Sequence, residues 1–249
     1  MLEKVIPAKC NISIAQERYN DISTYIESAE AFSRNMFRPV MIIDLFKKNY
    51  LYVSHNFSHL LGNMGSLDDS LENGQQIIPS FAREDEHTLS IIFNKAYDLF
   101  LASPIAERKD LVFSFSFHTL NNGKKTIVHQ CLTPLSLTDD GDLWLVLCTT
   151  SFSSRKTPGS FIMKSHNEQE YEEYNIEKDR WYHKEGLVLS LMEKDILLLS
   201  SQGYTMKEIA SILFKSEDTI KMYKRVMFSK LCVRSITEAV FTAINLNLI

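Results

Sequence analysis

Two helix starts lie eleven residues apart near the end of this 249-residue chain, and each carries its own cap. Thr205 followed by Glu208 has the spacing of a capping box, which marks a helix N-terminus. Ser216, followed by two acidic residues, suits a second N-terminus because its hydroxyl caps amides and the acids face the positive end of the dipole. Gly203 can adopt the positive φ that ends a preceding helix. This pattern predicts two helices joined by a tight turn.

The second of these helices has two chemically different sides. At about 100° per residue, Ile220, Tyr223, Met227 and Leu231 fall on one apolar side. The opposite side carries Asp218, Lys221, Met222, Arg225 and Ser229. One side that packs and another that exposes two cations are typical of a helix-turn-helix, in which the second helix enters the DNA major groove.

The same stretch resembles the LuxR-type helix-turn-helix family over residues 187–249. The resemblance is carried by Leu189, Ser190, Glu193, Ile196 and Leu197, then by residues 207–210, 216–221 and 230–233. It implies an all-α, four-helix DNA-binding domain. By position, it implies that Lys221, Met222 and Arg225 face the bases. It also implies phosphate or scaffold positions at Lys207, Thr219 and Lys230, and Lys224 is added as a phosphate contact.

Four residues depart from the family pattern. Met192 stands where Arg is usual, Tyr223 where His is usual, Val226 where Asn is usual, and Cys232 where Gly is common. The change at Val226 removes a polar group near the expected DNA surface. The operator sequence therefore cannot be taken over from relatives.

Composition predicts two globular domains without a membrane span. Apolar residues make up 45% of the chain and aromatic residues 11%, which favours folded domains over disorder. The longest apolar run, Leu143–Cys148, is far too short to cross a bilayer. The N-terminus lacks the apolar segment of a signal peptide. We therefore expect a cytoplasmic protein with no membrane partner, whose four scattered cysteines are reduced thiols.

Charge is divided unevenly between the two parts of the chain. Residues 187–249 contain 8 Lys and Arg against 6 Asp and Glu, a net charge of +2, whereas residues 1–186 have a net charge of −6. A charge of +2 predicts weak, salt-sensitive DNA binding by one module. We therefore expect a homodimer on double-stranded DNA, because two modules gain affinity and set the half-site spacing.

The first 152 residues predict a helix followed by an α+β domain. Residues 1–36 form an N-terminal helical segment whose apolar stripe packs on its own domain or on a partner chain. Within 37–152 we expect a strand pair at 38–53, a short helix at 57–61, a helix at 84–102 and three antiparallel strands at 111–119, 125–137 and 143–151. This element order resembles a PAS domain, which implies sensing of a small-molecule or protein signal, or dimerisation.

No cofactor is predicted, although an unidentified small ligand in the PAS-like domain is left open. Three histidines could serve as haem ligands: His87, His118 and His129. Isolated histidines on a helix cap and on strands are more often ordinary surface or core residues, and this interpretation is favoured. The alternating Phe113, Phe115 and Phe117 line either a pocket or the core, and core packing is favoured. We expect no metal site. Asp44 at a strand end is not expected to be phosphorylated, because the three consecutive strands do not fit a receiver domain.

Residues 153–186 shift to a charged composition with an acidic run from Glu168 to Glu173, which predicts a linker. No hydrolase, nucleotide-binding or metalloprotease motif is found in the sequence, so no enzyme activity is expected. The sequence thus predicts an α+β transcriptional regulator that binds specific DNA. The alternative is a protein-interaction or sensor module with weak or no specific DNA binding.

Overall fold

The computed structural model describes residues 14–36, 38–57, 83–121, 124–153, 158–159, 161–165, 170–245 and 248–249. The chain divides into two compact units, residues 1–184 and 185–249. The first unit contains an antiparallel sheet with helices, and the second is helical in its described residues. The predicted α+β class, with an antiparallel sheet domain before an all-α domain, is confirmed.

The sheet of the first unit has eight strands among the described residues, ordered β2-β1-β5-β4-β3-β6-β7-β8. Their bounds are β1 Val40–Asp44, β2 Asn49–Val53, β3 Leu111–Asn121, β4 Lys124–Leu137, β5 Leu143–Phe152, β6 Phe161–Ser165, β7 Tyr171–Asn175 and β8 Arg180–Lys184. Neighbouring strands pair antiparallel throughout. The first five strands have the element order predicted for the PAS-like region. The predicted short helix at 57–61 lies, apart from Phe57, outside the described residues.

One face of the sheet carries the main hydrophobic core. Helix α2, Arg83–Ala102, covers it with Leu89, Ile92 and Phe100, which are almost fully buried. The predicted stripe on β3 faces this helix, because Phe113, Phe115 and Phe117 belong to the same core cluster. Phe93 meets Phe115 edge-on at 5.3 Å between ring centroids. The stripe is therefore part of the core, as the sequence favoured.

The N-terminal segment packs on the other face of the same sheet. A 3-10 helix, Gln16–Asp21, leads into α1, Ile22–Met36. Ala29 of α1 is buried in one cluster with Val40 and Ile42 of β1. Most of the predicted apolar stripe thus packs within the chain's own domain, while Phe32 remains 59% exposed.

Most of the described residues between 153 and 184 belong to the sheet rather than to the predicted linker, 153–186. Strands β6, β7 and β8 lie in this range and extend the sheet from β3, with Phe115 opposite Phe161. Trp181 of β8 packs against Phe161 and Tyr174 with ring centroids 5.2 Å away from each. The acidic run suggested a solvated segment, but Glu172 and Glu173 at its end lie on β7. Short, charged edge strands are a common way to protect a sheet edge.

The second unit contains four helices in its described residues: α3 Leu191–Ser201, α4 Met206–Ile212, α5 Glu217–Leu231 and α6 Ile236–Asn245. Their shared core is formed by Leu189, Ile196, Leu197, Ile209, Ala210, Ile220, Met227, Leu231, Ala239 and Ala243. The predicted four-helix domain is confirmed.

Candidate nucleic-acid interface

The entry into α4 has the predicted caps. The Thr205 hydroxyl accepts a hydrogen bond from the Glu208 amide, and the Glu208 carboxylate accepts one from the Thr205 amide at 2.7 Å. Gly203 before it has φ +90°, a conformation that L side chains rarely adopt. A Cβ at this glycine would meet nothing within 4 Å. Backbone conformation, rather than space, therefore requires glycine here.

The turn between α4 and α5 is short and closed by backbone hydrogen bonds. Phe214 takes the left-handed conformation with φ 52°, and the amide of Lys215 donates to the carbonyl of Ala210 at 2.9 Å. The Ser216 hydroxyl then caps α5 by accepting from the Thr219 amide at 3.2 Å. This geometry ends α4 and starts α5 within a few residues, which is the connection of a helix-turn-helix.

Helix α5 divides into the two sides that its sequence predicts. Ile220, Met227 and Leu231 are buried in the core of the second unit, and Tyr223 packs against them in part. The other side is exposed and carries Asp218, Lys221, Met222, Arg225, Val226 and Ser229. The three predicted base-facing residues, Lys221, Met222 and Arg225, therefore share one accessible surface, which we call the outer face of α5.

Lys221 is held at the start of this outer face by an acidic neighbour. Its Nζ lies 2.9 Å from Oδ1 of Asp218, and both side chains are largely exposed. The hydrogen bond from Lys221 to Asp218 raises the pKa of the lysine, with the negative charge of the same carboxylate adding to it. The lysine is fully charged at neutral pH. A phosphate or base acceptor can replace Asp218 at little cost, since exposed ion pairs contribute little.

Lys230 has a different environment from the other predicted contacts. Its Nζ lies 2.8 Å from Oε2 of Glu193, whose side chain is only 2% exposed, and 3.4 Å from the carbonyl of Val188. Burial opposes ionisation of Glu193, but hydrogen bonds from Lys230 and Ser190 outweigh it and lower the pKa of this carboxyl. This ion pair fits the scaffold role that the resemblance allowed for Lys230, and its phosphate contact stays a prediction.

The remaining predicted phosphate residues lie on or beside the two helices. Lys207 is exposed on α4, and Thr219 is half-buried with its hydroxyl 2.8 Å from that of Ser216. Lys224 is half-buried, with its Nζ 5.7 Å from the ring centroid of Phe228. Lys215, which is exposed in the turn, was not predicted as a contact. Its position directly before the N-cap Ser216 is the sequence feature that could have indicated a phosphate contact.

Asp44 of the first unit is enclosed by hydrogen-bond donors. Asp44 is fully buried and accepts hydrogen bonds from the Tyr19 hydroxyl at 2.8 Å and from two backbone amides of the following turn. Burial and the bond to Asp44 raise the pKa of Tyr19 to about 12. His129 lies near Ser116 and Cys131, with its ring nitrogens 3.3 Å from the Ser116 hydroxyl and 3.6 Å from the Cys131 sulfur, whereas His87 is exposed on α2.

His118 lies beside two carboxylates at the start of α2. Its Nδ1 is 3.2 Å from Oδ2 of Asp85 and 3.6 Å from Oε1 of Glu84. Asp85 also accepts the His118 backbone amide at 2.6 Å, and Lys125 lies 2.6 Å from Glu84. Among the described residues, Glu84, Asp85 and His118 form a group whose ligand atoms are close enough to hold a cation. The Lys125 ammonium already neutralises part of the cluster.

The family comparison concerns the second unit. Residues 187–243 match the family model described as bacterial regulatory proteins, luxR family. A curated relative, the uncharacterized transcriptional regulatory protein YhcZ of Bacillus subtilis (strain 168), is 36% identical over 76 residues. This match covers 30% of the chain and 33% of the relative, so it spans only a third of that protein.

Solved structures are also similar along most of the chain, at low identity. One is the crystal structure of the phage VqmA–DPO complex, with which this chain shares 15% sequence identity. The match covers 91% of this chain and 89% of the VqmA chain, with a TM-score of 0.33. The Vibrio cholerae VqmA dimer in the absence of target DNA is 13% identical, with 93% and 88% covered and a TM-score of 0.28.

Within the described part of the chain, no helix combines the length and apolar character needed to cross a membrane. The caps, the short turn and the exposed outer face of α5 agree with the family match over the same residues. Residues 187–243 are therefore a helix-turn-helix domain of the LuxR type.

Proposed function

We propose that this chain is a transcriptional regulator that binds specific double-stranded DNA as a homodimer. In this proposal the PAS-like domain receives a small-molecule or protein signal, and the protein acts in the cytoplasm, where bacterial DNA is accessible. The observation that carries the proposal is the division of α5. Ile220, Met227 and Leu231 fix one side in the core, while Lys221 and Arg225 stand exposed on the other.

The outer face of α5 supplies the groups that read base edges in a major groove. Lysine and arginine donate to the O6 and N7 acceptors of guanine, and apolar side chains contact the methyl group of thymine. Lys221 and Arg225 would supply the donors and Met222 the apolar side chain, and all three are exposed in the first half of the helix. Helix-turn-helix proteins use these N-terminal positions of the second helix for reading.

Cations and hydroxyls around α5 would position the domain on the DNA backbone. Lys207 lies on the preceding helix, and Thr219 and Lys224 lie on α5 itself. Contacts of this kind fix register and orientation without reading sequence. Lys230 would act mainly through Glu193, because its ammonium is held there.

The modest charge of the domain supports a dimer. A net charge of +2 over residues 187–249 neutralises few phosphates. A second copy doubles the number of phosphates that are neutralised and places two α5 helices on successive half-sites. A signal that changes the arrangement of the N-terminal domains would then permit or prevent this pairing.

Alanine substitutions on the outer face test the proposal. Genomic DNA fragments that bind the immobilised full chain are first isolated, and we call them retained fragments. The affinity for one retained fragment is then compared between the wild type, Lys221→Ala and Arg225→Ala. We expect each variant to bind roughly five- to a hundredfold more weakly if the side chain makes a bidentate base contact.

Lys194→Ala removes an exposed cation from α3 and serves as the matched control. It should reduce affinity by much less than the α5 variants. Affinities of Lys221→Ala and Arg225→Ala that equal the wild-type value would contradict the proposal.

The second candidate is a protein-interaction or sensor module without specific DNA binding. The charge of only +2 and the exposed, apolar Val226 on α5 favour it. A gel-shift titration at low and moderate salt separates the two candidates, because purely electrostatic binding falls steeply with salt and shows no preference among fragments.

A further inference from the structure

The outer face of α5 contains two exposed apolar side chains one helical turn apart. Met222 is 54% exposed and Val226 is 46% exposed. Residues at i and i+4 are neighbours on a helix surface, so the two side chains form a short strip. The strip adjoins Arg225, whose side chain is also exposed.

Single exposed apolar residues are common on protein surfaces and carry little meaning. This pair differs in its position. It lies on the helix that would enter the groove, on the side opposite the buried Ile220, Met227 and Leu231. At about 100° per residue, Met222 lies near the middle of the exposed arc and Val226 lies about 40° from it.

The major groove offers one apolar group that such a strip can recognise. The C5-methyl group of thymine projects into the groove, whereas the other base edges there present hydrogen-bond donors and acceptors. A thioether and an isopropyl group make no hydrogen bond that would read those edges. Methyl contacts are the match that their chemistry allows.

We propose that Met222 and Val226 form a methyl-reading strip, and that the operator places C5-methylated pyrimidines against it. This inference rests on the proposed function and adds the base class that this part of α5 selects. Val226 is then a specificity residue, although its departure from the family pattern suggested only the removal of a polar group. Thymine and 5-methylcytosine carry the same methyl group, and the experiment distinguishes them.

The test compares the affinity of the chain for one retained fragment that is synthesised with different pyrimidine nucleotides. The fragment is amplified with thymine or with uracil in place of thymine, which removes every C5-methyl group without changing Watson–Crick pairing. For the wild-type chain we expect about fourfold weaker binding for each methyl group that the strip would cover, and roughly tenfold or more for two such groups. A third preparation with 5-methylcytosine in place of cytosine tests the other source.

The variant Met222→Ala/Val226→Ala is measured on the same fragments. It should bind the thymine and uracil forms with nearly equal affinity, because the side chains that contact the methyl groups are absent. Both side chains are exposed, so the fold should be retained, which circular dichroism checks. Leu198→Ala removes a side chain of α3 that is 51% exposed and should keep the wild-type preference.

Each outcome decides the inference. A preference for thymine over uracil that disappears in the double variant supports thymine reading, and a preference for the 5-methylcytosine form supports the other source. Equal wild-type binding to all forms overturns the inference but leaves the proposed function intact. A preference that persists in the double variant overturns it as well, because DNA shape then accounts for the effect. No specific fragment retained by the wild type overturns both.

Discussion

At the scale of single residues, a buried carboxylate connects two helices of the second unit. Glu193 accepts hydrogen bonds from the Ser190 amide at 2.7 Å and from Lys230 at 2.8 Å. It therefore caps α3 and ties that helix to the end of α5. The orientation of α5 in the domain is supported by this ion pair as well as by the apolar core.

Glu193→Gln should destabilise the second unit by about 1–3 kcal/mol. The amide keeps the size of the side chain but removes the charge that pairs with Lys230. The destabilisation stays moderate because Lys230 is partly exposed and can be resolvated. Hydrogen exchange of the peptides from residues 187–249 in the full chain measures it. Asp195→Asn, on the exposed side of α3, should change protection by less than about 0.5 kcal/mol.

The same ion pair predicts a pH dependence with a defined sign. The pKa of Glu193 in the folded protein lies below its ordinary value of 4.5. Its stabilising contribution is therefore fully present above about pH 4.5 and is lost as the pH falls through the lowered folded value. The stability difference between the wild type and Glu193→Gln should shrink over this acid range. A difference that is constant between about pH 7 and about pH 3 would show that the ion pair does not stabilise the fold.

At the scale of elements, α6 offers a surface for the proposed dimer. Ala239 and Ala243 are fully buried in the domain, while Phe241 is 43% exposed and Ile244 is 47% exposed on the opposite side. Covering this apolar face with the same face of a second copy would remove it from water. It would also join two domains that each carry little charge.

Phe241→Ser/Ile244→Ser should therefore weaken self-association of the full chain by at least about tenfold, since each buried side chain contributes roughly 1.5–3 kcal/mol. Sedimentation equilibrium measures the dimer dissociation constant. Leu191→Ser is the matched control, because Leu191 is 81% exposed on α3. Equal dimer affinity in all three proteins would place the interface elsewhere.

The elements that could be predicted from sequence are those with local signals. Helix α2 and strands β3, β4 and β5 are long enough for their periodicity to be clear, and the caps at Thr205 and Ser216 fix where two helices start. Strands β6 to β8 have five residues each and form through pairing with β3 and with one another. Their sequence is charged, and the long-range pairing that stabilises them leaves no local pattern.

Parts of the candidate site were predictable for the same reason. Helical periodicity alone places Lys221, Met222 and Arg225 on an exposed side, and the structure agrees. The partner of Lys230 was not predictable, because Glu193 lies 37 residues away and meets it only after α3 and α5 pack. Tertiary packing therefore decides which cations are available to DNA.

At the scale of the whole molecule, the chain joins an acidic sheet domain to a weakly basic helical domain. Six residues, 185–190, separate the end of β8 from the start of α3. The last strand of the first unit thus continues almost directly into the helix-turn-helix domain. In the proposed function, this short connection is the covalent path by which a change in the sensor domain reaches the DNA-binding domain.

In the proposed function, the outer face of α5 lies in the major groove. A crystal structure of the full chain bound to a retained DNA fragment tests it most directly. We expect Lys221 and Arg225 within hydrogen-bond distance of base edges or phosphates, and Met222 within about 4 Å of a base edge. A complex in which another surface of the domain contacts the DNA and the outer face of α5 points into solvent would contradict the account.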